Sequence, residues 1–251
     1  MPETFLGWIV YLIEEYYPLF LRGVGVTLFL SISGTIIGFV LGLLVSIVKA
    51  VPIKQKDTLI KKIILKIANA ILSIYVEVFR GTPMMVQAMI IYYGSLQYLG
   101  LDMSPMFAGI IVISLNTGAY LAEVIRGGII SVDAGQTEGA MSIGMTHWQT
   151  MVHVVLPQAI RNVMPAIGNE FVINIKDSAV LSVIQVVELF FQTKSAAGTY
   201  FKYFEAFSIT ALTYLILTFT VTRILKLVEK KMDGKDSYKL ESTTLNHKEG
   251  E

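Results

Sequence analysis

Four polar side chains stand within long apolar stretches of the sequence: Gln87, Asn116, Glu170 and Asn174. A charge at the centre of a membrane-spanning helix costs about 2.5–3.5 kcal/mol on insertion scales, so such residues usually pair or serve a function. Glu170 and Asn174 are four residues apart, which predicts that they share one helix face. A carboxylate can hold a cation and the amides can hold polar groups. Hydrogen bonding between helices also explains these residues, and both interpretations stay open.

The pattern E-x-x-R-G occurs twice, as Glu77 with Arg80 and as Glu123 with Arg126. Acidic and basic residues at i and i+3 can pair on one helix surface, and pairing between helices is also possible. One interpretation is a structural ion pair where two helices meet. The other is an inner gate that forms and breaks as a path opens and closes.

The sequence contains no pattern typical of catalysis or of metal binding. It has no cysteine and only three histidines, of which His147 and His153 are six residues apart and face different sides of a helix. Neither H-E-x-x-H nor G-x-S-x-G occurs, which disfavours an enzyme. G-x-x-x-x-G-K-[ST] is also absent, so this chain is not expected to hold ATP phosphates. The formal net charge of +1 gives no sign of nucleic-acid binding.

The elements that must position these residues are membrane-spanning helices. Apolar residues make up 54% of the chain and charged residues 16%, and apolar runs of about 20 residues recur, the length that crosses a bilayer core. We predict an all-α integral membrane protein with five spans. These are residues 19–48, 83–99 after a basic segment at 54–66, 105–125, 159–189 and 203–227.

The distribution of basic residues predicts the orientation of the spans. Of the 20 lysines and arginines, only Arg22, Lys194 and Lys202 fall outside when the N-terminus is out and the C-terminus is in. Residues 1–231 then form one transmembrane domain, and residues 232–251 form a polar cytoplasmic tail that we expect to be disordered. The neighbours Lys176 and Asp177 are expected to reach a partner or the membrane interface.

Two patterns predict the shape of individual helices. Gly81, Thr82 and Pro83 should break or kink the second element, because proline cannot continue a helix without losing a hydrogen bond. Three glycines recur every four residues on the first span, at 34, 38 and 42, and that spacing permits close helix approach.

The segment of residues 133–157, here called the connector, follows the third span on the cytoplasmic side. Asp133 can cap a short helix, and Gly144 can end it at a positive φ. Thr146 and Gln149 form a capping box that opens a second helix. We expect Pro157 to close that helix just before the fourth span.

The connector resembles the EAA loop of ABC importer permeases. The residues that match its spacing are Glu138, Gly139, Ala140, Gly144, Leu156 and Pro157. Gly139 departs from the family, because it occupies the second position of the E-A-A triplet, and Val154 replaces an isoleucine. Three further stretches are similar to permeases of polar amino-acid uptake systems: EVFRGTPMMVQ at 77–87, SLNTGAYLAEVIRGG at 114–128 and LPQAIRNVMPAIGNEFV at 156–172.

This resemblance implies a type I ABC importer permease fold in a bacterial-type inner membrane, with the connector as the coupling helix. It also implies cytoplasmic ATPase subunits that bind ATP and Mg, a second permease subunit and an extracytoplasmic solute-binding protein. We favour a homodimer of permeases. The substrate would be a polar, possibly basic, amino acid, held near the midplane by Glu170 through its ammonium or guanidinium and by the amides through its carboxylate.

Two other classes of protein share some of these features. A secondary transporter driven by an ion gradient also has buried polar residues and broken helices, but it usually has more spans in repeated halves. A membrane scaffold would explain spans and a docking loop, but not clustered polar residues at depth. An ATP-driven permease subunit is the interpretation that we favour.

Overall fold

The computed structural model describes residues 2–53 and 55–232, and every regular element in these residues is a helix. The helices, numbered in chain order, are α1 (Phe5–Lys49), α2 (Leu59–Gly81), α3 (Met84–Leu99), α4 (Pro105–Ile130), α5 (Ala134–Ser142), α6 (His147–Thr150), α7 (Leu156–Asp177), α8 (Leu189–Tyr200) and α9 (Tyr203–Met232). A π-helical turn, Met151–Val155, joins α6 to α7, and a 3₁₀ turn, Ser178–Ile184, follows α7. The predicted tail lies outside the described residues from 233 onward.

The glycine stripe of α1 packs against α4, which confirms the role predicted from its spacing. A Cβ atom on Gly38 would lie 2.6 Å from Thr117 Cγ2, and one on Gly42 would lie 2.9 Å from the backbone nitrogen of Ala122. A Cβ on Gly34 would collide with Ile113. Without side chains at these positions the two helices approach closely along most of their contact, so α1 and α4 form the centre of the bundle.

The predicted break in the second element is confirmed. Helix α2 ends at Gly81, Thr82 is extended, and α3 begins at Met84 with Pro83 as its N-cap residue. The break exposes backbone carbonyls that an uninterrupted helix would pair. Gln87 satisfies two of them, because its Nε2 donates to Phe79 O and to Thr82 O at 2.9 Å each.

Three described helices are long and apolar enough to cross a membrane: Phe5–Lys49, Pro105–Ile130 and Tyr203–Lys231. They contain the predicted first, third and fifth spans. The first is longer than the predicted 19–48, because the helix passes through Pro18 and begins at Phe5 after its Thr4 cap. The predicted second span, 83–99, corresponds to α3, and α2 precedes it on the other side of the break.

The fourth predicted span, 159–189, was wrong as one continuous helix. Helix α7 ends at Asp177, and the 3₁₀ turn ends at Gln185, whose φ of 66° is left-handed. The chain then starts α8, where the fully buried Glu188 caps the helix by accepting from the backbone N–H groups of Phe190 and Phe191. Sequence periodicity missed this cap, because Glu188 lies within an apolar run.

The connector has the predicted caps. The Asp133 side chain accepts from the Gly135 N–H at the start of α5, and Gly144, with φ at 87°, follows its end. The capping box of Thr146 and Gln149 opens α6 with both reciprocal hydrogen bonds present. These contacts hold the connector as two short helices joined by a tight turn.

The expectation that Pro157 closes the second connector helix was wrong. The chain stays helical from α6 through the π-helical turn into α7, and Pro157 lies in the first turn of α7. Pro157 directly follows the π-helical turn, where the α-helical hydrogen-bond pattern is already interrupted. The connector therefore runs directly into the helix that carries Glu170.

Candidate functional site

A cavity of about 270 Å³ opens between the α2–α3 break, α4 and α7. Its wall contains Thr82, Pro83, Met84, Asn116, Tyr120, Glu170, Ile173 and Asp177. Three of these lie on α7 at positions i, i+3 and i+7, a spacing that places them on one helix face. Two carboxylates thus face the same space, and none of these lining residues is basic. This cavity brings together Asn116 and Glu170, two of the four residues predicted for the substrate site.

The amide hydrogens of Asn116 are used outside this cavity, which leaves its oxygen as the group available to the cavity. Its Nδ2 donates to Phe79 O at 3.2 Å and to Gln87 Oε1 at 3.1 Å, which uses both hydrogens of the amide. Because a backbone carbonyl can only accept a hydrogen bond, the Asn116 atom next to Phe79 O must be the amide nitrogen. A cavity with two carboxylates and an amide oxygen attracts a group that carries positive charge and several N–H donors.

Gln87 lies behind the cavity wall. It is buried, and its Nε2 also lies 3.0 Å from Thr82 Oγ1, so that its two hydrogens are shared among this oxygen and the two carbonyls. Its Oε1 accepts from Asn116. All of its hydrogen bonds therefore go to the break and to Asn116, and its contribution to the cavity passes through Asn116.

Asn174 also points away from the cavity. It is buried where α1, α4 and α7 meet, and its Nδ2 donates to Thr35 Oγ1 at 2.9 Å and to Thr117 Oγ1 at 3.0 Å. Although Asn174 is only one turn from Glu170, a step of four residues turns about 40° round the helix, enough to carry its side chain into the helix interface. Its contacts match the interpretation as a hydrogen bond between helices.

Asp177 is the lining carboxylate that we did not predict for the site. The sequence contained a usable signal, because a residue seven positions after Glu170 returns to nearly the same helix face. We expected Asp177 to reach a partner or the interface, together with Lys176. In the structure Asp177 lines the cavity, whereas Lys176 is exposed.

The two E-x-x-R-G patterns differ in their contacts. Arg126 pairs with Glu123 at 2.9 Å, and Lys49 of α1 approaches the same carboxylate at 3.4 Å. Within the described residues, Glu77 and Arg80 form no ion pair. The Arg80 guanidinium instead lies 5.4 Å from the centre of the Tyr120 ring, a cation–π distance.

The comparisons with known proteins agree with this architecture. Residues 63–234 match the model of a family described as "Binding-protein-dependent transport system inner membrane component". The chain belongs to this family. It is 34% identical over 216 residues to the glutamine transport system permease protein GlnP of Escherichia coli (strain K12), which covers 86% of this chain and 93% of that protein.

Two further similarities support an amino-acid permease. The chain is 35% identical over 219 residues to the arginine transport system permease protein ArtQ of Bacillus subtilis (strain 168), with 87% of this chain and 94% of that protein covered. A solved structure titled "Crystal structure of an amino acid ABC transporter with histidines" matches with a TM-score of 0.78 at 38% identity, covering 92% of this chain and 100% of that chain.

The permease is therefore an integral membrane subunit of an ATP-driven ABC importer with the type I fold. The ion-gradient alternative is not the function that its relatives share. Permeases of this family work with ATPase and binding-protein partners. The sequence resemblance that rested on the connector and three further motifs is confirmed.

Proposed function

We propose that the permease imports a polar amino acid and that the cavity beside the α2–α3 break holds the positively charged end of this substrate. The observation that carries the proposal is the convergence of Glu170, Asp177 and the Asn116 oxygen on one cavity without a basic lining residue. Every amino acid brings an α-ammonium group, and a basic one brings a second cation. Relatives named for glutamine and for arginine transport both fit this chemistry.

The connector is the proposed site where the ATPase subunits act. Its matching residues lie on α5, on the turn after it and at the start of α7; they are Glu138, Gly139, Ala140, Gly144, Leu156 and Pro157. Three large apolar side chains of the connector are exposed, Met141 at 44%, Ile143 at 80% and Trp148 at 60%, as expected of a surface that a partner covers. ATP and Mg would bind to that partner, since this chain has no P-loop.

Four further features of the working complex belong to this proposal. A second permease, which we take to be another copy, completes the path, and a solute-binding protein delivers the substrate from outside. The complex lies in a bacterial inner membrane as a multi-pass assembly. Glu77, Arg80, Glu123 and Arg126 stay the candidate inner gate, and the cluster that Glu123 and Arg126 form with Lys49 joins α1 to α4, as a structural ion pair would.

The test is neutralisation of one cavity carboxylate in the full complex with its ATPase. We expect Glu170→Gln to weaken both amino-acid transport and substrate-stimulated ATP hydrolysis, with basal hydrolysis retained. The matched control is Glu205→Gln. Glu205 lies on α9, is not among the residues that line the cavity, and pairs with Lys202. An unchanged substrate dependence in a correctly assembled Glu170→Gln complex would remove the cavity from the proposal.

A further inference from the structure

The acceptor-rich cavity leaves one group of an amino acid without a partner. An amino acid also carries an α-carboxylate, which two cavity carboxylates and an amide oxygen would repel. A site that holds the whole substrate therefore needs a cation close to the cavity. This reasoning rests on the proposed function, because it takes the cavity as the substrate site.

Arg80 is the cation whose position fits this requirement. It lies at the end of α2, two residues before Thr82 of the cavity wall, and its guanidinium is 5.4 Å from the centre of the ring of Tyr120, a residue that lines the same cavity. Its side chain is exposed and forms no ion pair with any described residue. A guanidinium at the end of a membrane helix without a carboxylate partner has its hydrogen-bond donors available for one.

Lys176 is a competing basic residue, since it precedes the lining Asp177 in sequence, but helix geometry argues against it. It lies six residues after Glu170, which turns its side chain about 120° round α7 from the carboxylate that faces the cavity. It is also about 100° from Asp177, so both lining carboxylates point elsewhere. Lys176 is exposed on another face of the helix.

We propose that Arg80 binds the α-carboxylate of the substrate, while Glu170 and Asp177 hold its positively charged groups. The planar fork of the guanidinium matches a carboxylate with two parallel hydrogen bonds. The Tyr120 ring holds the guanidinium beside the cavity before substrate arrives. Arg80 then distinguishes amino acids from amines and amides that carry the same cations without the carboxylate.

The experiment compares two probes that differ only at this group, L-arginine and L-argininamide. Their equilibrium binding is measured with the purified permease–ATPase complex in lipid nanodiscs, without the solute-binding protein. Arg80→Gln is expected to weaken L-arginine binding about tenfold or more, since hydrogen bonds between charged groups are strong. Binding of L-argininamide should change less than about twofold, because this probe has no carboxylate and loses only a weak contact between Arg80 and its neutral amide.

Three variants complete the design. Arg80→Lys keeps the charge but loses the fork, so we expect a smaller, carboxylate-specific loss. Arg223→Gln is the matched control, because Arg223 also lies over an aromatic ring, 4.8 Å from the centre of Phe219, but on α9. Lys176→Gln tests the competing cation. Neither control should change the ratio of the two affinities.

Several results would overturn the proposal. Equal weakening of both probes by Arg80→Gln would mean that Arg80 supports the fold, and no change would mean that it touches neither probe. A carboxylate-specific loss in Lys176→Gln would transfer the role to Lys176. If Arg80→Gln does not assemble, the ratio in Arg80→Lys decides. Glu170→Gln separates the two proposals, since failure of the cavity itself would leave both probes bound as in the wild type.

Discussion

Replacement of Gln87 by methionine removes the hydrogen bonds that hold the α2–α3 break while keeping a side chain of similar length. The two amide hydrogens of Gln87 are shared among Phe79 O, Thr82 O and Thr82 Oγ1, and its oxygen accepts from Asn116 Nδ2, at distances of 2.9–3.1 Å. Two backbone carbonyls beside the break lose a partner. Asn116 is then free to rotate, because one of its two amide hydrogens loses its acceptor.

The size of the effect follows from the number of bonds. Hydrogen bonds between helices in a membrane bundle average about 0.6 kcal/mol each, so the two donated bonds and one accepted bond of Gln87 amount to about 2 kcal/mol. A chain of this length loses about 2–4 °C of melting temperature per kcal/mol, which predicts a decrease of about 4–8 °C. We also expect weaker substrate binding, since the Asn116 oxygen is no longer fixed toward the cavity.

The assay is thermal unfolding of the purified permease–ATPase complex, followed by binding of L-arginine below the transition. The matched control is Gln97→Met, which makes the same change at an exposed position of α3. An unchanged melting temperature in Gln87→Met would refute the reasoning. A decrease shared by Gln97→Met would show that the methionine, rather than the lost hydrogen bonds, is responsible.

Two further predictions concern glycines. Gly38→Leu should destabilise the bundle by about 1–3 kcal/mol or prevent its folding, because even a Cβ there would press on α4, whereas Gly25→Leu meets open space and should be tolerated; thermal unfolding of both variants checks this. Gly144→Ala should cost about 1–2 kcal/mol in the connector because of its φ of 87°, and should weaken co-purification with the ATPase. Gly139→Ala, which lies within α5 with no atom near its missing side chain, should stabilise that helix by about 1 kcal/mol and retain the partner.

Local sequence patterns were enough to predict several of the positions at which helices begin, end or break. The capping box at Thr146 and Gln149, the stop at Gly144 and the break before Met84 each depend on residues within a few positions of one another. The glycine stripe was also readable, because its period of four places all three glycines on one face of α1. The end of α7 was not, since a buried cap at Glu188 within an apolar run gives no local signal.

Only some of the residues of the candidate site could be predicted from the sequence. The free-energy cost of placing a polar side chain within a membrane span marked Glu170 and Asn116 as unusual, and both line the cavity. The same rule marked Asn174 as unusual. Which face of α7 meets α1 and α4 depends on packing across the bundle, however, and Asn174 lies in that helix interface. The predicted role of the amides toward a carboxylate also depended on tertiary partners, which use the hydrogens of Asn116.

The continuity of the connector with α7 gives a physical route between ATP hydrolysis and the cavity. The π-helical turn packs against α1 and against the end of α4 through an apolar cluster that contains Met151, Val155 and Leu156. Movement of the connector therefore acts at one end of the helix that carries Glu170 and Asp177. Because both carboxylates lie on this one rigid helix, they are expected to move together.

The most direct test of the account is a structure of the permease–ATPase complex with L-arginine bound. We predict density for the amino acid in the cavity between the α2–α3 break and α7, with its cationic groups beside Glu170 and Asp177. Loss of that density in the structure of Glu170→Gln under the same conditions would support the assignment. An amino acid bound elsewhere in the permease, with this cavity empty, would contradict it.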